Sequence, residues 1–126
     1  MSTILIVEDN EKNMKLVRDI LQHQGHTTIE AATGGDGVRL ARERQPDLIL
    51  MDIQLPDIDG ITALGEIRKD SALDAVPVLA VSASVMPDEQ QKIVTSGFDA
   101  CVTKPINLKQ FLETVQRFLA DGRTRK

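Results

Sequence analysis

The chain has 126 residues, of which 41% are hydrophobic and 27% charged, as expected for one folded globular domain and not for a disordered chain. No apolar run approaches the ~20 residues of a membrane-spanning helix, and the start has no signal-peptide pattern, so we expect a cytoplasmic protein. The formal net charge is −4, although the end is basic, with Arg123, Arg125 and Lys126. An acidic body without Trp or Tyr argues against binding of nucleic acid.

Strand-like and helix-like segments alternate along the chain. The predicted strands are at 4–7, Thr27–Ala31, 48–51, 78–81 and 99–102. A helix follows each of them. The first helix is capped by Asn10 and ends at Gly25, the second runs from about Gly35 and ends before Pro46, and the third follows Asp59 and Gly60. The fourth runs from Pro87 to Gly97, and the fifth is capped by Asn107 and ends at Gly122. The helical spacing of the last segment predicts that it buries Phe111, Leu112, Val115 and Leu119.

Five strand-helix repeats predict an α/β fold with right-handed crossovers. The runs at 4–7, 48–51 and 78–81 are continuously apolar, which is typical of strands buried on both faces of a parallel sheet, whereas the other two strands are weaker and suit its edges. This predicts a flavodoxin-like (βα)5 fold, a five-stranded parallel sheet of order 2-1-3-4-5 with helices on both faces. We expect one domain over residues 1–121 and a short basic tail at 122–126.

Polar residues follow four of the strands, at the carboxyl ends where such sheets bind ligands. Glu8 and Asp9 follow the first strand, Asp52 the third, Ser82 the fourth and Lys104 the fifth. Three carboxylates repel one another unless a cation lies between them, and Mg²⁺ binds a few carboxylates together with water and phosphate oxygens. The pattern therefore predicts a phosphate site in which one carboxylate is the nucleophile and forms an acyl phosphate. The ammonium and the hydroxyl would bind phosphoryl oxygens.

Taken singly, these residues also fit simpler roles or different kinds of site. Asp9 and Ser82 could simply cap helices, and Lys104 with Pro105 could be an ordinary turn. A flavin or nucleotide site would need a loop rich in Ser, Thr or Gly where residues 8–11 are mostly acidic, and no P-loop motif is present. A phosphatase with an aspartyl nucleophile usually has a second acid two residues later, where this chain has Gln54.

Four segments together resemble a known family, the CheY-like receiver domains of two-component response regulators. They are IVEDN at 6–10, DLILMDIQLPDIDG at 47–60, VSA at 81–83 and TKP at 103–105. With Asn13, the first segment is most similar to single-domain DivK-type response regulators and to the receivers of hybrid kinases. The resemblance covers essentially the whole chain.

The resemblance implies a role for each matching position. Asp52 would be the phosphoacceptor, Ser82 the switch hydroxyl and Lys104 a contact to the phosphoryl group. Mg²⁺ would be held by Asp9, Asp52 and the backbone carbonyl of Gln54, and by Glu8 through water. The family often has a cis bond before the proline, here between Lys104 and Pro105, which proline makes accessible.

The resemblance also implies partners and a mode of action. The protein would be a phosphorylation switch in signal transduction and not an enzyme. A histidine kinase or a histidine phosphotransfer protein would donate the phosphoryl group. Few residues follow the last helix, so output would come from binding a downstream protein or from an onward phosphorelay. The alternative is a pseudo-receiver, an interaction module that is never phosphorylated.

Two positions depart from the family pattern. Ser82 stands where Thr is commoner, which keeps the hydroxyl, and Cys101 stands where Tyr or Phe is frequent. A cysteine cannot sweep a large surface between exposed and buried states, so we expect Cys101 to pack as a small buried residue in both. The signal would then be carried by the loop from 82 to 87, including Ser84, Val85 and Met86.

Overall fold

The computed structural model describes residues 2–83 and 86–122, and in it a parallel sheet lies between two layers of helices. The strands are β1 (Thr3–Val7), β2 (Thr27–Ala31), β3 (Leu48–Asp52), β4 (Val78–Ser82) and β5 (Ala100–Thr103). The helices are α1 (Glu11–His23), α2 (Gly34–Arg44), α3 (Gly60–Arg68), α4 (Pro87–Thr95) and α5 (Leu108–Asp121), with a short 3₁₀ turn at Ser71–Leu73. Except for Gly122, the basic tail expected at 122–126 lies outside the described residues.

The sheet has the predicted order, β2-β1-β3-β4-β5, and every neighbouring pair is parallel. In the register Ile4 lies beside Leu48, and Ile49 beside Val78. The continuously apolar strands β1, β3 and β4 are central, and the two weaker strands are the edges. The fold predicted from the sequence is therefore confirmed.

The core consists of two apolar clusters, one on each face of the sheet. On one face α2, α3 and α4 contribute buried side chains such as Val38, Leu64 and Ile93. On the other face α1 and α5 contribute residues such as Leu21 and Phe111. Because both faces are covered, the functional residues have to lie at the ends of the strands.

The last helix differs in part from the sequence prediction. Asn107 caps α5, and its side-chain oxygen accepts a hydrogen bond from the Gln110 amide at 3.0 Å. The fully buried side chains are Phe111, Val115 and Phe118, which share one helical stripe at spacings of four and three residues. The prediction missed Phe118, and Leu112 and Leu119 are only partly buried at the side of this stripe.

A charge network joins the elements at the amino-terminal edge of the sheet. The Asp99 carboxylate accepts hydrogen bonds from the Val78 amide at 2.8 Å and from the Arg68 guanidinium at 3.3 Å. Arg68 also donates to the carbonyl oxygen of Leu73 at 2.8 Å. The Asp99 side chain is only 5% exposed, so this network ties the end of α3 to the starts of β4 and β5.

Within residues 2–83 and 86–122, none of the helices combines the length and the apolar character that crossing a membrane requires.

Candidate functional site

The carboxyl ends of four strands bring the sequence-predicted polar residues to one rim. Glu8 directly follows β1, Asp52 and Ser82 are the last residues of β3 and β4, and Lys104 directly follows β5. Glu8, Asp52 and Ser82 are buried, while Asp9 is exposed. Buried polar side chains are uncommon unless they are paired or functional, so this rim is the first place to look for chemistry.

Three carboxyl groups meet at the rim. One carboxylate oxygen from each of Glu8, Asp9 and Asp52 lies within 4.8 Å of the others. They open into a cleft of about 470 Å³, which has the following lining residues: Glu8, Asp9, Asn10, Asn13, Asp52, Gln54, Leu55, Pro56 and Lys104. An oxygen-lined cleft with two buried carboxyl groups and one exposed suits a hard divalent cation that also keeps water ligands.

Lys104 supplies the positive charge of this cluster. Its Nζ lies 3.1 Å from Asp52 Oδ2 and 3.2 Å from Glu8 Oε1. Its backbone amide donates to the carbonyl of Ser82 at 2.8 Å, and its bond to Pro105 is cis. Burial lowers the pKa of Lys104, but hydrogen bonds and charge attraction from Asp52 and Glu8 outweigh it, so the pKa is raised and the ammonium is held charged.

Glu8 is the carboxyl group whose ionisation is most perturbed. Burial, followed by the hydrogen bond and the charge of Asp52, raises the pKa of Glu8 from its ordinary value of 4.5 to about 7. The Asn10 amide donates to Glu8 Oε2 at 3.2 Å and favours the ionised form, but less strongly. Near neutral pH, then, the metal-free site holds part of its Glu8 population protonated.

The loop after β3 folds back over the carboxylate of Asp52. The Gln54 amide donates to Asp52 Oδ1 at 3.1 Å, and Gln54, Leu55 and Pro56 form one wall of the cleft. The backbone of Gln54 therefore lies beside the acidic cluster, as the family resemblance requires.

Ser82 faces a second hollow, on the side of α3 and α4. This hollow has a volume of about 220 Å³, and its lining includes Ile53, Ser82, Ala83 and Ile93. It provides space into which side chains next to the site can repack. Two residues of the loop expected to carry the signal, Ser84 and Val85, lie outside the described residues.

Cys101 is less buried than the sequence suggested. It is a half-buried residue of β5 that packs against the apolar cluster on the side of α2, α3 and α4, and it also lines a hollow of about 80 Å³ together with Thr103, Gln110 and Phe111. Burial raises the pKa of its thiol, so the uncharged form is favoured. Cys101 is therefore an uncharged small side chain, as expected, but it is not fully buried.

Two features of the site were not predicted from the sequence. One is the double ion pair of Lys104 with Glu8 and Asp52, since the lysine was expected to meet a phosphoryl group. The other is Asp57, whose carboxylate accepts hydrogen bonds from the amides of Gly34 and Gly35 at 2.8 and 2.9 Å. Two glycines in the first turn of a helix, where they are poor helix formers, are the one sequence signal that could have pointed to this contact.

Comparison with known proteins identifies the same family that the sequence motifs resemble. Residues 4–116 match the family model of the response regulator receiver domain. The polar-differentiation response regulator DivK of Brucella ovis is 43% identical over 120 residues, covering 95% of this chain and 98% of that protein.

Solved structures of similar proteins share the fold along almost the whole chain. The receiver domain of a sensor histidine kinase from Pseudomonas aeruginosa, solved with a magnesium ion coordinated in its active-site cleft, has a TM-score of 0.89 at 30% identity, covering 95% of this chain and 98% of that one. The chemotaxis protein CheY4 of Vibrio cholerae has a TM-score of 0.86 at 26% identity, covering 93% and 98%. The chain therefore belongs to the response regulator receiver domain family of two-component signalling and is similar in sequence to DivK over nearly its whole length.

Proposed function

We propose that the Asp52 carboxylate accepts a phosphoryl group from a phosphohistidine donor in a Mg²⁺-dependent reaction, and that the chain signals through its phosphorylated form. The observation that carries this proposal is the buried Asp52 carboxylate, which has two further carboxyl groups within 4.8 Å and the Lys104 ammonium at 3.1 Å. A nucleophile, a cation site and a fixed positive charge are the parts that phosphoryl transfer needs, since it depends mainly on positioning and electrostatics.

The donor set fits Mg²⁺. Carboxylate and carbonyl oxygens are its preferred protein ligands, and it retains several waters, for which the open cleft leaves room. Asp9, Asp52 and the carbonyl of Gln54 would hold the ion directly, and Glu8 would do so through water. When bound, Mg²⁺ would neutralise charge on the phosphoryl oxygens.

The reaction at Asp52 is a simple substitution. A carboxylate oxygen forms a bond to phosphorus while the P–N bond of the donor breaks, and its electron pair stays on the imidazole nitrogen. Lys104, already within 3.1 Å of Asp52, would bind a phosphoryl oxygen as a point charge. The Ser82 hydroxyl would donate to another, and its movement into that position would be the switch.

This function defines the partners. The donor would be a histidine kinase or a histidine phosphotransfer protein, and the output would be a downstream protein or an onward phosphorelay. The chain would act in the cytoplasm as a phosphoacceptor switch and not as an enzyme, without binding nucleic acid or membrane. Residues 1–121 would be the receiver and 122–126 a basic tail.

Intact-mass spectrometry after incubation with acetyl phosphate and Mg²⁺ tests the proposal. The wild type should gain one phosphoryl group, and Asp52→Asn should gain none. Asp36→Asn is the matched control because it removes an exposed carboxylate from the first turn of α2, and it should be labelled like the wild type. Chelation by EDTA should abolish labelling.

Two outcomes would contradict the assignment. Full labelling of Asp52→Asn would place the phosphoryl group elsewhere. No labelling of the wild type, together with no chemical-shift response to beryllofluoride and Mg²⁺, would support the pseudo-receiver alternative.

A further inference from the structure

We infer that Asp57 is a positioning residue, which fastens the loop at 53–59 to the first turn of α2 and thereby sets the affinity of the Asp52 site for Mg²⁺. This inference rests on the proposed function, because it concerns the metal site proposed there. The Asp57 carboxylate accepts hydrogen bonds from the amides of Gly34 and Gly35, which are not among the proposed ligands. It would act through the loop that carries one of them, the backbone carbonyl of Gln54.

The loop is held at each end by its own hydrogen bonds. At the start, the Gln54 amide donates to Asp52 Oδ1 at 3.1 Å, and the Ile53 carbonyl accepts from the Gly60 amide at 2.8 Å. At the end, the Asp59 side chain caps α3 by accepting from the Thr62 amide at 2.7 Å. The stretch between them has to be positioned by contacts with another element.

Asp57 makes that contact with both carboxylate oxygens. Its Oδ1 accepts from the Gly34 amide at 2.8 Å and its Oδ2 from the Gly35 amide at 2.9 Å. A charged acceptor bound by two amides at a helix N-terminus is a strong and directional arrangement. These bonds lower the pKa of Asp57, so the carboxylate stays ionised throughout the neutral range.

The glycines of α2 make this approach possible. A Cβ at position 34 would lie 2.5 Å from Ile58 Cγ1, and one at position 35 would lie 3.2 Å from Asp57 Oδ2. A side chain at position 34 would force Ile58 to move, and one at position 35 would displace the Asp57 carboxylate by a few tenths of an ångström. Two adjacent glycines are unfavourable in a helix. Their presence at the start of α2 is explained by the room that they leave for Asp57 and Ile58 to pack against the helix.

The position of the loop matters for the cation because the loop forms the wall of the cleft. Gln54, Leu55 and Pro56 are among its lining residues, and Asp57 is the next residue. The hydrogen bonds at the start of the loop hold the Gln54 amide but not its carbonyl. If Asp57 is released, the Gln54 carbonyl loses a restraint from the far side of the loop, and a Mg²⁺ ligand that moves has to be ordered again upon binding. Small displacements are costly because Mg²⁺ demands near-ideal octahedral geometry.

Mg²⁺ titrations followed by amide chemical shifts test this inference without requiring phosphorylation. Asp57→Asn keeps one acceptor oxygen and Asp57→Ala keeps none, so the dissociation constant should rise in steps. For Asp57→Ala we expect about fivefold, below the ~10-fold to 100-fold typical of groups bonded directly to a metal ligand. The control Asp36→Asn also removes one negative charge, at the turn of α2 that Asp57 contacts, where Asp36 lies 3.5 Å from Arg39, and it should bind like the wild type.

Hydrogen exchange supplies a second readout, because the coupling between two sites is reciprocal. Mg²⁺ should slow exchange of the Gly34 and Gly35 amides in the wild type and leave it unchanged in Asp57→Ala. If Asp57 had only a structural role, Asp57→Ala would change the thermal stability by the same amount with and without Mg²⁺.

The outcomes separate this inference from the function on which it rests. If Asp9→Asn loses Mg²⁺ binding but Asp57→Ala binds with the wild-type constant, the metal site stands and the positioning role is overturned. If the wild type itself binds no Mg²⁺, both are overturned. A matching loss in Asp36→Asn would attribute the effect to overall charge and would also overturn the positioning role.

Discussion

Replacing Gly60 by alanine tests how closely α3 approaches β3, the strand that ends at Asp52. Gly60 is the first residue of α3, and its amide donates to the carbonyl of Ile53. A Cβ there would lie 2.6 Å from the carbonyl oxygen of Asp52 and 2.9 Å from Ile53 Cα. Both neighbours are backbone atoms, so no side-chain rotation relieves the contact. Non-bonded heavy atoms pack best at about 3.5 Å or more, so the strand end and the helix start must separate by about 1 Å.

The expected cost follows from that separation. Overpacking of this kind typically costs about 1–3 kcal/mol, and replacing glycine returns about 0.5–1 kcal/mol by restricting the unfolded chain. We expect Gly60→Ala to lower the free energy of unfolding by about 1–2 kcal/mol. Its phosphorylation by acetyl phosphate should also slow, because Asp52 is displaced.

Gly65 provides the matched control in the same helix. It is exposed, and a Cβ at position 65 would meet no atom within 4 Å. Gly65→Ala should therefore raise the free energy of unfolding by about 0.5–1 kcal/mol, the difference in helix propensity. Urea denaturation followed by far-ultraviolet circular dichroism measures both, since the chain has no Trp or Tyr. If Gly60→Ala is as stable as Gly65→Ala, the conclusion that α3 lies too close to β3 for a Cβ at position 60 is refuted.

Three further predictions concern charged groups. Since the pKa of Glu8 is 4.5 ordinarily and about 7 in the fold, the metal-free folded state binds a proton that the unfolded chain releases. The contribution of this proton to stability is complete below pH 4.5 and is lost as pH rises to about 7, by at most ~3 kcal/mol. In EDTA the free energy of unfolding should therefore fall more between these pH values in the wild type than in Glu8→Gln, and identical pH profiles would refute this. Asp99→Ala should lower the free energy of unfolding by about 2–4 kcal/mol, because it removes a buried partner of Arg68 and of the Val78 amide. Asp99→Asn should lose less, since an oxygen remains for that amide, and equal losses would contradict the role of that bond. Lys104→Ala should destabilise the protein more at pH 8 than at pH 5, because ionised Glu8 loses its partner, and added Mg²⁺ should reduce the loss; a pH-independent loss in urea denaturation would argue against this ion pair.

The sheet and the rim were predictable because their sequence signals are local. A central strand buried on both faces reads as an uninterrupted apolar run, which singled out β1, β3 and β4 and with them the strand order. Residues directly after such runs then have to meet at one edge. That reasoning brought Glu8, Asp52, Ser82 and Lys104 together, although they come from four separate stretches of the chain.

The features that the sequence did not reveal depend on distances between elements. The contact of Asp57 with Gly34 spans 23 positions and joins a loop without a periodic pattern to the first turn of α2. Phe118 was missed because α5 has apolar residues on two adjacent stripes, and only the tilt of the helix on the sheet decides which is central. The raised pKa of Glu8 follows from its burial, which a position at the end of a strand does not specify.

If Asp52 accepts a phosphoryl group as proposed, Cys101 limits how that group can be sensed. A thiol rotates about χ1 alone, and the hollow beside it holds only about 80 Å³, so this side chain cannot exchange a large exposed surface for a buried one as an aromatic ring can. The ends of β3, β4 and β5 are instead joined through their main chains. The Ile53 amide donates to the carbonyl of Val81 at 3.1 Å, and the Lys104 amide donates to the carbonyl of Ser82 at 2.8 Å. The proposed shift of Ser82 toward the phosphoryl group would therefore move the peptide to which Lys104 is bonded, beside the 220 Å³ hollow against α3 and α4. These main-chain bonds do not involve residue 101, so they would pass movement from this end of β4 to the residues after β3 and β5 without it.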